Sequence, residues 1–549
     1  MKHLATHALP LAAAVGLAGC GENRRAANAE SSTSGGDTST SGVADSGPGR
    51  GATSTSTSKS TSGSDGSSRG EGDDGPKFDI GDTAASDESG APVDVCKVQD
   101  DDAVIPCEEH APPDSFAPDV QWTWTGAVHT SAIVTPLVAN LTDDNADGEI
   151  DLCDTPDVIV VTNTGQGRIH ILNGADGVEH FEIGMDVHNR VTPSIGDIDA
   201  DGIPEIVTAT PNGNMLAFEH DGTMKWQSSD TWPSAVHGSV ALADVDNDGD
   251  VEIIAGETLW DHDGNRIETF GDIPGPGSYG NAVTAADLDG DDDLEIILGR
   301  SAYHHDGTEV YKHLQIDPGY PQVGDIDADG EPEVLLMNPD GINVFENNGT
   351  IKFQGLHPTG DSGILQTWMR PATIHDFDGD GEAEWAVSSA NHYTTYEQDA
   401  TIIWSSDVSD QSGSAAGTAF DFLGDGTAEA MYADESTLFI FDDAGGVLLM
   451  TPRSSTTAIE YPTVADIDND GSAEIVVVSN TSPTVQAIRD VDERWVPARR
   501  IWNQHTYHVT NVREDGTIPQ VEKHSWELLN TFRTQAQMEN GICNPEPEG

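Results

Sequence analysis

The chain contains 549 residues, with 96 Asp or Glu against 24 Lys or Arg, so its formal net charge is −72. A negative field of this size disfavours nucleic acid and bare anionic membranes as partners, because both carry the same sign of charge. Many of the acidic residues recur in short loops of one pattern, which indicates a set of cation ligands rather than an acidic tail.

Residues 1–20 have the features of a lipoprotein signal peptide. Lys2 precedes an apolar stretch that is too short to span a membrane as a helix. The Leu-Ala-Gly-Cys sequence that ends at Cys20 resembles a lipobox, which implies export and attachment of lipid to Cys20. Gly21 is not the Asp that marks inner-membrane retention in enteric bacteria. We therefore expect an outer-membrane lipoprotein at the cell surface, with an ordinary cleavable signal peptide as the alternative.

Residues 21–76 form a tract rich in Ser, Thr and Gly that contains no aromatic residue. Such a composition cannot bury an apolar core, so we expect a disordered linker. A flexible chain of this length reaches about 40 Å, which would hold a folded domain away from the membrane.

Residues 77–118 form a short segment that contains Cys96 and Cys107, two of the four cysteines that remain after Cys20. An even number of cysteines in an exported chain permits two disulfides, with three possible pairings. We favour Cys96 with Cys107 because the span is local, which leaves Cys153 to pair with Cys543.

Eight short acidic loops, numbered 1 to 8 in chain order, recur between Asn140 and Glu474 at spacings of roughly 40–50 residues, a period typical of propeller blades. Clear copies read DIDADGIPE from Asp197 and DIDNDGSAE from Asp466. Acidic residues at positions 1, 3, 5 and 9 offer oxygen ligands, and the Gly at position 6 permits a sharp turn. An all-oxygen set suits Ca²⁺ better than zinc or copper.

The predicted ligands of several calcium ions, loop by loop, are Asp143, Asn145, Asp147 and Asp151; Asp197, Asp199, Asp201 and Glu205; Asp244, Asp246, Asp248 and Glu252; Asp287, Asp289, Asp291 and Glu295; Asp325, Asp327, Asp329 and Glu333; Asp376, Asp378, Asp380 and Glu384; Asp421, Asp425 and Glu429; and Asp466, Asp468, Asp470 and Glu474.

Three of the loops are irregular. Loop 1 has Asn145 at position 3 and runs into an insertion that carries Asp154 and Asp157. Loop 4 has Asp292 where Gly is expected, and Asp tolerates a left-handed backbone better than most residues. Loop 7 has Leu423 at position 3, so we expect a weak or empty site there.

Each repeat reads as four short strands. One strand enters the acidic loop, one leaves it, and two form a hairpin with a turn such as Asp221-Gly222. This pattern predicts an all-β fold, a β-propeller over residues 119–492 with a calcium loop in each blade. Eight loops favour eight blades, with seven as the alternative. Residues 120–126 resemble a fourth strand and are expected to complete the last blade, which would remove two unpaired edges.

The motif P-x-x-[GA]-D-x-D-x-D-G-x-x-E-[IV], as in PSIGDIDADGIPEI from Pro193, resembles the FG-GAP/VCBS repeat superfamily, whose calcium-loop propellers include the integrin alpha-subunit head. The resemblance covers about residues 136–479. The Phe-Gly and Gly-Ala-Pro signatures of the integrin version are not evident, so bacterial VCBS members are the closer match. The resemblance implies the fold and calcium binding but gives no ligand.

Residues 493–549 do not follow the repeat. We expect a capping segment in which Trp495 and Trp502 cover apolar surface of the ring. The alternative is a ligand site built from polar residues of the same stretch: Asn503, Gln504, His505 and His508.

The sequence has no HExxH motif, no GxSxG motif and no phosphate-binding Gly-rich loop, and we assign no catalytic residue. We expect a monomeric surface propeller, in contact with the membrane only through its lipid, that binds a protein or glycan partner in adhesion or recognition. A polysaccharide lyase is one alternative, because some lyases are built on VCBS-like propellers. A purely structural envelope protein is another.

Overall fold

The computed structural model describes residues 96–98, 110–112, 115–272, 275, 282–357, 370–411 and 415–537. The chain divides into two units, residues 1–81 and 82–549, and the described residues all belong to the second. The predicted signal peptide with Cys20, the linker, most of the segment 77–118, Cys107 and Cys543 lie outside the described residues.

The described part of the chain contains thirty-two strands in eight four-stranded antiparallel sheets, which are the blades of a propeller. The chain enters through β1 (Pro118–Trp124). Blades 1 to 4 consist of β2 (Leu137–Ala139), β3 (Asp157–Thr162), β4 (Arg168–Asn173) and β5 (Glu179–Glu182); β6 (Ser194–Gly196), β7 (Glu205–Ala209), β8 (Asn214–Phe218) and β9 (Met224–Thr231); β10 (Val240–Ala243), β11 (Glu252–Ala255), β12 (Thr258–Trp260) and β13 (Arg266–Thr269); and β14 (Thr284–Ala286), β15 (Glu295–Ile297), β16 (Ser301–Tyr303) and β17 (Glu309–Lys312).

Blades 5 to 7 repeat this order, and blade 8 takes its fourth strand from the start of the domain. The strands are β18 (Tyr320–Gly324), β19 (Glu333–Asn338), β20 (Gly341–Glu346) and β21 (Ile351–Leu356); β22 (Thr373–His375), β23 (Glu384–Ser388), β24 (His392–Tyr396) and β25 (Ile402–Asp407); β26 (Gly417–Phe420), β27 (Glu429–Ala433), β28 (Thr437–Phe441) and β29 (Val447–Pro452); and β30 (Thr463–Ala465), β31 (Glu474–Val478) and β32 (Val485–Asp490) with β1. The prediction of eight blades is confirmed.

The N-terminal strand closes the ring, as the sequence predicted. β1 pairs antiparallel with β32, from Pro118 opposite Asp490 to Trp124 opposite Val485. The indole of Trp122 then donates a hydrogen bond to the carbonyl of Gly174 in blade 1, at 2.5 Å. The first and last parts of the propeller are therefore held in one sheet, and β1 covers the edge that β32 would otherwise expose.

The Asp-Gly turns do more than reverse the chain. Gly177 has φ +69°, and a Cβ there would lie 2.5 Å from the ring of Trp122 on the neighbouring blade. Gly264 has φ +79° and lies in the same way against Trp226. Each of these turns packs against an aromatic ring from the fourth strand of the preceding blade. Glycine is required both for its backbone angle and for this close approach.

The C-terminal segment, residues 494–537, lies between the innermost strands of the ring. Its backbone or side chains bond to the first strand of each blade or to the residue next to it, through these pairs: Arg499 with Asp466, Trp502 with Val138, Asn503 with Ile195, Gln504 with Leu242, Thr506 with Val283, Asn530 with Asp325, Phe532 with Ile374, and Gln535 with Ala419. Trp502, Asn503 and His505 are fully buried. The segment is a plug rather than a cap laid on the surface. It includes the one-turn helix α1 (Ser525–Leu528).

The predicted disulfide pairing is wrong. Cys96 is bonded to Cys153, with a Cα–Cα distance of 4.9 Å, so neither Cys96–Cys107 nor Cys153–Cys543 forms. The backbone N–H of Leu152 donates to the carbonyl of Cys96 at 2.9 Å. The insertion after loop 1 therefore lies against the segment that precedes the propeller, and spatial proximity overrides the short sequence span.

Among the described residues, no helix is long and apolar enough to cross a membrane.

The plug yields a test of how the ring is held. Gln504 is buried, and its Oε1 accepts hydrogen bonds from the Leu242 N–H and the Ser194 hydroxyl, at 3.0 and 3.2 Å. Gln504→Ala leaves both donors buried without a partner and should cost about 1–3 kcal/mol of unfolding free energy. The control is Gln520→Ala, since Gln520 is exposed and bonds only at the surface, and it should cost below about 0.5 kcal/mol. Urea denaturation of both variants measures the difference, and equal losses would contradict a structural role for the plug.

Candidate metal centres in the eight acidic loops

Each acidic loop joins the first and second strands of its blade. In blades 2 to 8 the Asp at position 1 directly follows the first strand, and the Glu at position 9 is the first residue of the second strand. In blade 1 the residue that directly follows β2 is Asn140. Two left-handed residues bend the loop, as Ala200 with φ 60° and Gly202 with φ 88° show for loop 2. In loop 4 the left-handed place at position 6 is taken by Asp292 with φ 73°, as the sequence predicted.

The same backbone hydrogen bonds hold the carboxylates in place. In loop 6 the N–H groups of Gly379 and Gly381 donate to the two oxygens of Asp376, at 2.7 and 2.9 Å. The N–H of Phe377 donates to Oε2 of Glu384 at 2.6 Å. Loops 2 to 8 all have this last bond, so one oxygen of each Glu is fixed and Oε1 is left for another partner.

Loops 3, 6 and 8 contain carboxylate oxygens that face no donor in the described part of the chain. These buried atoms are Asp246 Oδ1, Asp378 Oδ1, Glu384 Oε1, Asp468 Oδ1 and Glu474 Oε1. All belong to loop positions 3 and 9. A buried charged oxygen without a partner is costly, and a cation in the loop removes that cost.

The donor set fits Ca²⁺. Asp376, Asp378, Asp380 and Glu384 each have an oxygen within 4.8 Å of the others, and Asp197, Asp199 and Asp201 form a similar group. Several carboxylate oxygens around one point are what a hard cation with a high coordination number requires. Bound Ca²⁺ would neutralise these groups and cross-link the first and second strands of the blade.

Without metal the clusters are electrostatically strained. Burial, together with the carboxylates of Asp376, Asp378 and Asp380, raises the pKa of Glu384 to about 8 against one opposing backbone hydrogen bond. Burial likewise raises the pKa of Glu252 to about 8 and that of Glu474 well above its usual value. Ionised carboxylates in these loops therefore need a cation, and a proton is the competitor.

Loop 1 departs from the predicted ligand set. Its insertion displaces Asp151, whose carboxylate accepts the N–H of Cys153 at 3.0 Å. The place that Glu205 has in blade 2 is occupied by Asp157, which pairs with Ala139 and accepts the N–H of Leu141. Burial raises the pKa of Asp157 to about 8. The strand-like run that begins at Asp157 is the sequence signal for this equivalence.

Three other loops have partners that the sequence did not reveal. In loops 2 and 5 a lysine ammonium, from Lys225 and Lys352, lies against the acidic residues. In loop 4 the Nδ1 of His304 lies 2.8 Å from Oε1 of Glu295, and the Nε2 of His524 lies 3.1 Å from Oδ2 of Asp287. The eight loops are thus similar in backbone but different in charge.

A cavity of about 480 Å³ lies where loops 5, 6 and 7 meet the C-terminal plug. Its lining is acidic and includes one half-buried indole: Asp325, Asp376, Asp421, Glu527 and Trp526. The ring of Trp526 stacks on that of His524, with centroids 4.8 Å apart. The polar side chains predicted as an alternative ligand site, such as Gln504, are instead buried within the plug.

Comparison with known proteins agrees with this architecture. Residues 197–255 and 325–387 match the FG-GAP-like repeat, so the propeller carries the repeats that the sequence motif predicted. No curated protein matches the chain.

The solved structures include similar propellers. The biofilm matrix protein Bap1 of V. cholerae has a TM-score of 0.66 at 20% identity, over 77% of this chain and 99% of that chain. A rhamnogalacturonan lyase of Bacillus licheniformis has a TM-score of 0.44 at 17% identity, over 69% of this chain and 75% of that chain. The first similarity shows the fold, and the second is too weak to support an argument about function.

Metal removal should destabilise the fold. At a calcium concentration 100-fold above Kd, each site adds about 2.7 kcal/mol to the unfolding free energy. We expect excess EDTA to lower the melting temperature and Asp380→Ala, in loop 6, to remove most of one such contribution. Asp425→Ala is the matched control in loop 7, where Leu423 leaves position 3 without a ligand, and it should cost less. Melting that is unchanged by EDTA would contradict calcium binding.

The raised pKa values set the pH dependence of calcium stabilisation. The pKa of Glu384 is about 8 in the metal-free fold against 4.5 ordinarily, so the metal-free fold loses stability as pH rises from about 4.5 to about 8. Calcium binds the ionised carboxylates, so the stabilisation that it provides increases over the same pH interval. The rise in melting temperature on adding calcium should therefore be larger at pH 8 than at pH 6. Scanning calorimetry at both values tests this, and a larger rise at pH 6 would refute it.

Proposed function

We propose, from the FG-GAP-like repeats of this propeller, that the protein is a calcium-stabilised recognition domain displayed at the cell surface through a lipid on Cys20. It acts as a monomer that binds a glycan or protein partner through the face that carries the acidic loops. It does not bind nucleic acid, because its net charge is −72. The fold similarity to a biofilm matrix protein supports a role of this kind.

The plug supports a ligand site on a face rather than on the axis. Residues 499–535 bond to the innermost strands of all eight blades, so the axis of the ring is occupied by the chain itself. In blades 1 to 7 the acidic loop and the hairpin turn lie on the same side of the ring, because the four strands are antiparallel and consecutive. A partner that approaches this side meets calcium loops and variable turns together.

The observation that carries the proposal is the cavity at loops 5 to 7. Its volume of about 480 Å³ is in the range of small-molecule sites. The indole of Trp526 offers a flat apolar face, and the exposed carboxylate of Glu527 offers hydrogen-bond acceptors for hydroxyl groups. This combination suits a sugar unit better than an anionic ligand, so we place a neutral or basic glycan first and a protein second.

The proposal is tested by glycan-array binding of the full mature chain with and without calcium. We expect calcium-dependent binding to a neutral or amino sugar and at least a tenfold loss of affinity in Trp526→Ala. The matched control is Trp226→Ala, a half-buried indole on the outer strand β9, far from the cavity, which should retain binding. Binding that is unaffected by Trp526→Ala would refute this site. Calcium-dependent formation of unsaturated sugar products, abolished by a cavity variant, would replace the proposal with a lyase.

A further inference from the structure

In blades 2 and 5 the fourth strand places a lysine side chain against the acidic loop of the same blade. In blade 2, Phe218 pairs with Met224, and the next residue is Lys225. In blade 5, Phe345 pairs with Ile351, and the next residue is Lys352. The same register gives apolar residues in blades 3, 4, 6 and 7, which are Ile267, Val310, Ile403 and Leu448. In blade 1 it gives His180, whose Nε2 lies 3.4 Å from Oδ1 of Asp157.

The two lysines contact the residues that would bind a metal. Lys225 Nζ lies 3.0 Å from Oε1 of Glu205, 2.5 Å from Oδ2 of Asp199 and 3.2 Å from Oε1 of Glu219. The lysine side chain is only 17% exposed. The ammonium group of Lys225 therefore directly contacts the carboxylates at loop positions 3 and 9.

Blade 5 repeats this arrangement independently. Lys352 Nζ lies 2.9 Å from Oε1 of Glu333, contacts Asp327 and lies 3.5 Å from Oε2 of Glu346. Its side chain is 16% exposed. Two blades thus use the same strand position, the same residue type and the same three acidic partners.

In loops 6 and 8 no lysine takes this position, and the equivalent glutamate oxygens have no donor among the described residues. The Oε1 atoms of Glu384 and Glu474, equivalent to those that the lysines contact, are buried and have no donor in the described residues. Both glutamates are 0% exposed. Blade 6 has Ile403 in the lysine position, and blade 8 has the neutral amide of Gln121, which donates to the other oxygen of Asp468. These loops contain unneutralised acidic oxygens that point to an added cation.

We propose that the ammonium groups of Lys225 and Lys352 replace the divalent cation in blades 2 and 5, whereas loops 6 and 8 are obligate calcium sites. A calcium ion in loop 2 or 5 would lie within a few ångströms of a fixed ammonium and share its ligands, and like charges at that distance repel. The propeller then contains blades that keep their loops ordered without calcium beside blades that require it. This partition rests on the proposed calcium binding.

The number of calcium ions bound to the full mature chain tests the partition. Equilibrium dialysis at 1 mM calcium, followed by elemental analysis, should give the same number for wild type and Asp329→Ala, which alters loop 5. Asp380→Ala, the equivalent change in loop 6, should lower the number by one. Lys352→Met should raise it by one, because the freed loop then resembles loop 6. The matched control Ile403→Met should leave the number unchanged.

The outcomes separate this inference from the proposed function. Loss of one ion in Asp329→Ala, or no gain in Lys352→Met, overturns the lysine replacement and leaves calcium binding intact. A wild type that binds no calcium overturns both. If Asp329→Ala does not fold, as judged by its thermal transition in calcium, Asp329→Asn supplies the same comparison with the side-chain size preserved.

Discussion

The structure depends on carboxylates held at one end of every blade. Backbone N–H groups fix one oxygen of each glutamate, so the remaining oxygens converge whether or not a cation is present. In loops 6 and 8 the converging oxygens of Glu384 and Glu474 are buried and have no donor among the residues that the structure describes. Their mutual repulsion opposes folding of the blade, and a bound cation would turn the same groups into a cross-link between two strands.

The rest of the ring is closed by ordinary contacts. β1 completes blade 8, and the C-terminal plug bonds to the innermost strands from blade 1 to blade 8. The ring is thus held closed in two places, by the pairing of β1 with β32 in blade 8 and by the C-terminal plug at the axis. A partner is left with the faces of the ring, and the acidic loops with the cavity beside Trp526 lie on one of them.

Much of this was predictable from sequence because it follows from local rules. The DxDxDG motifs predicted the acidic loops, and their spacing predicted the number of blades. The segment around Trp122 predicted the strand that closes the ring. The pairing of Cys96 with Cys153 was not predictable, because it depends on where the loop 1 insertion lies in space. Gln504 was predicted only as part of an alternative ligand site, and its burial depends on the whole ring. Lys225 and Lys352 share a place after the hairpin turn, a signal visible only once the strand register is known.

The most direct measurement is anomalous X-ray scattering at long wavelength from crystals grown in calcium. An integral cation predicts calcium peaks in loops 6 and 8, each within about 2.3–2.6 Å of the position 3 and position 9 carboxylates. Asp378 and Glu384 would be ligands of one, and Asp468 and Glu474 of the other. A well-ordered ring with no anomalous peak in either loop would contradict the account.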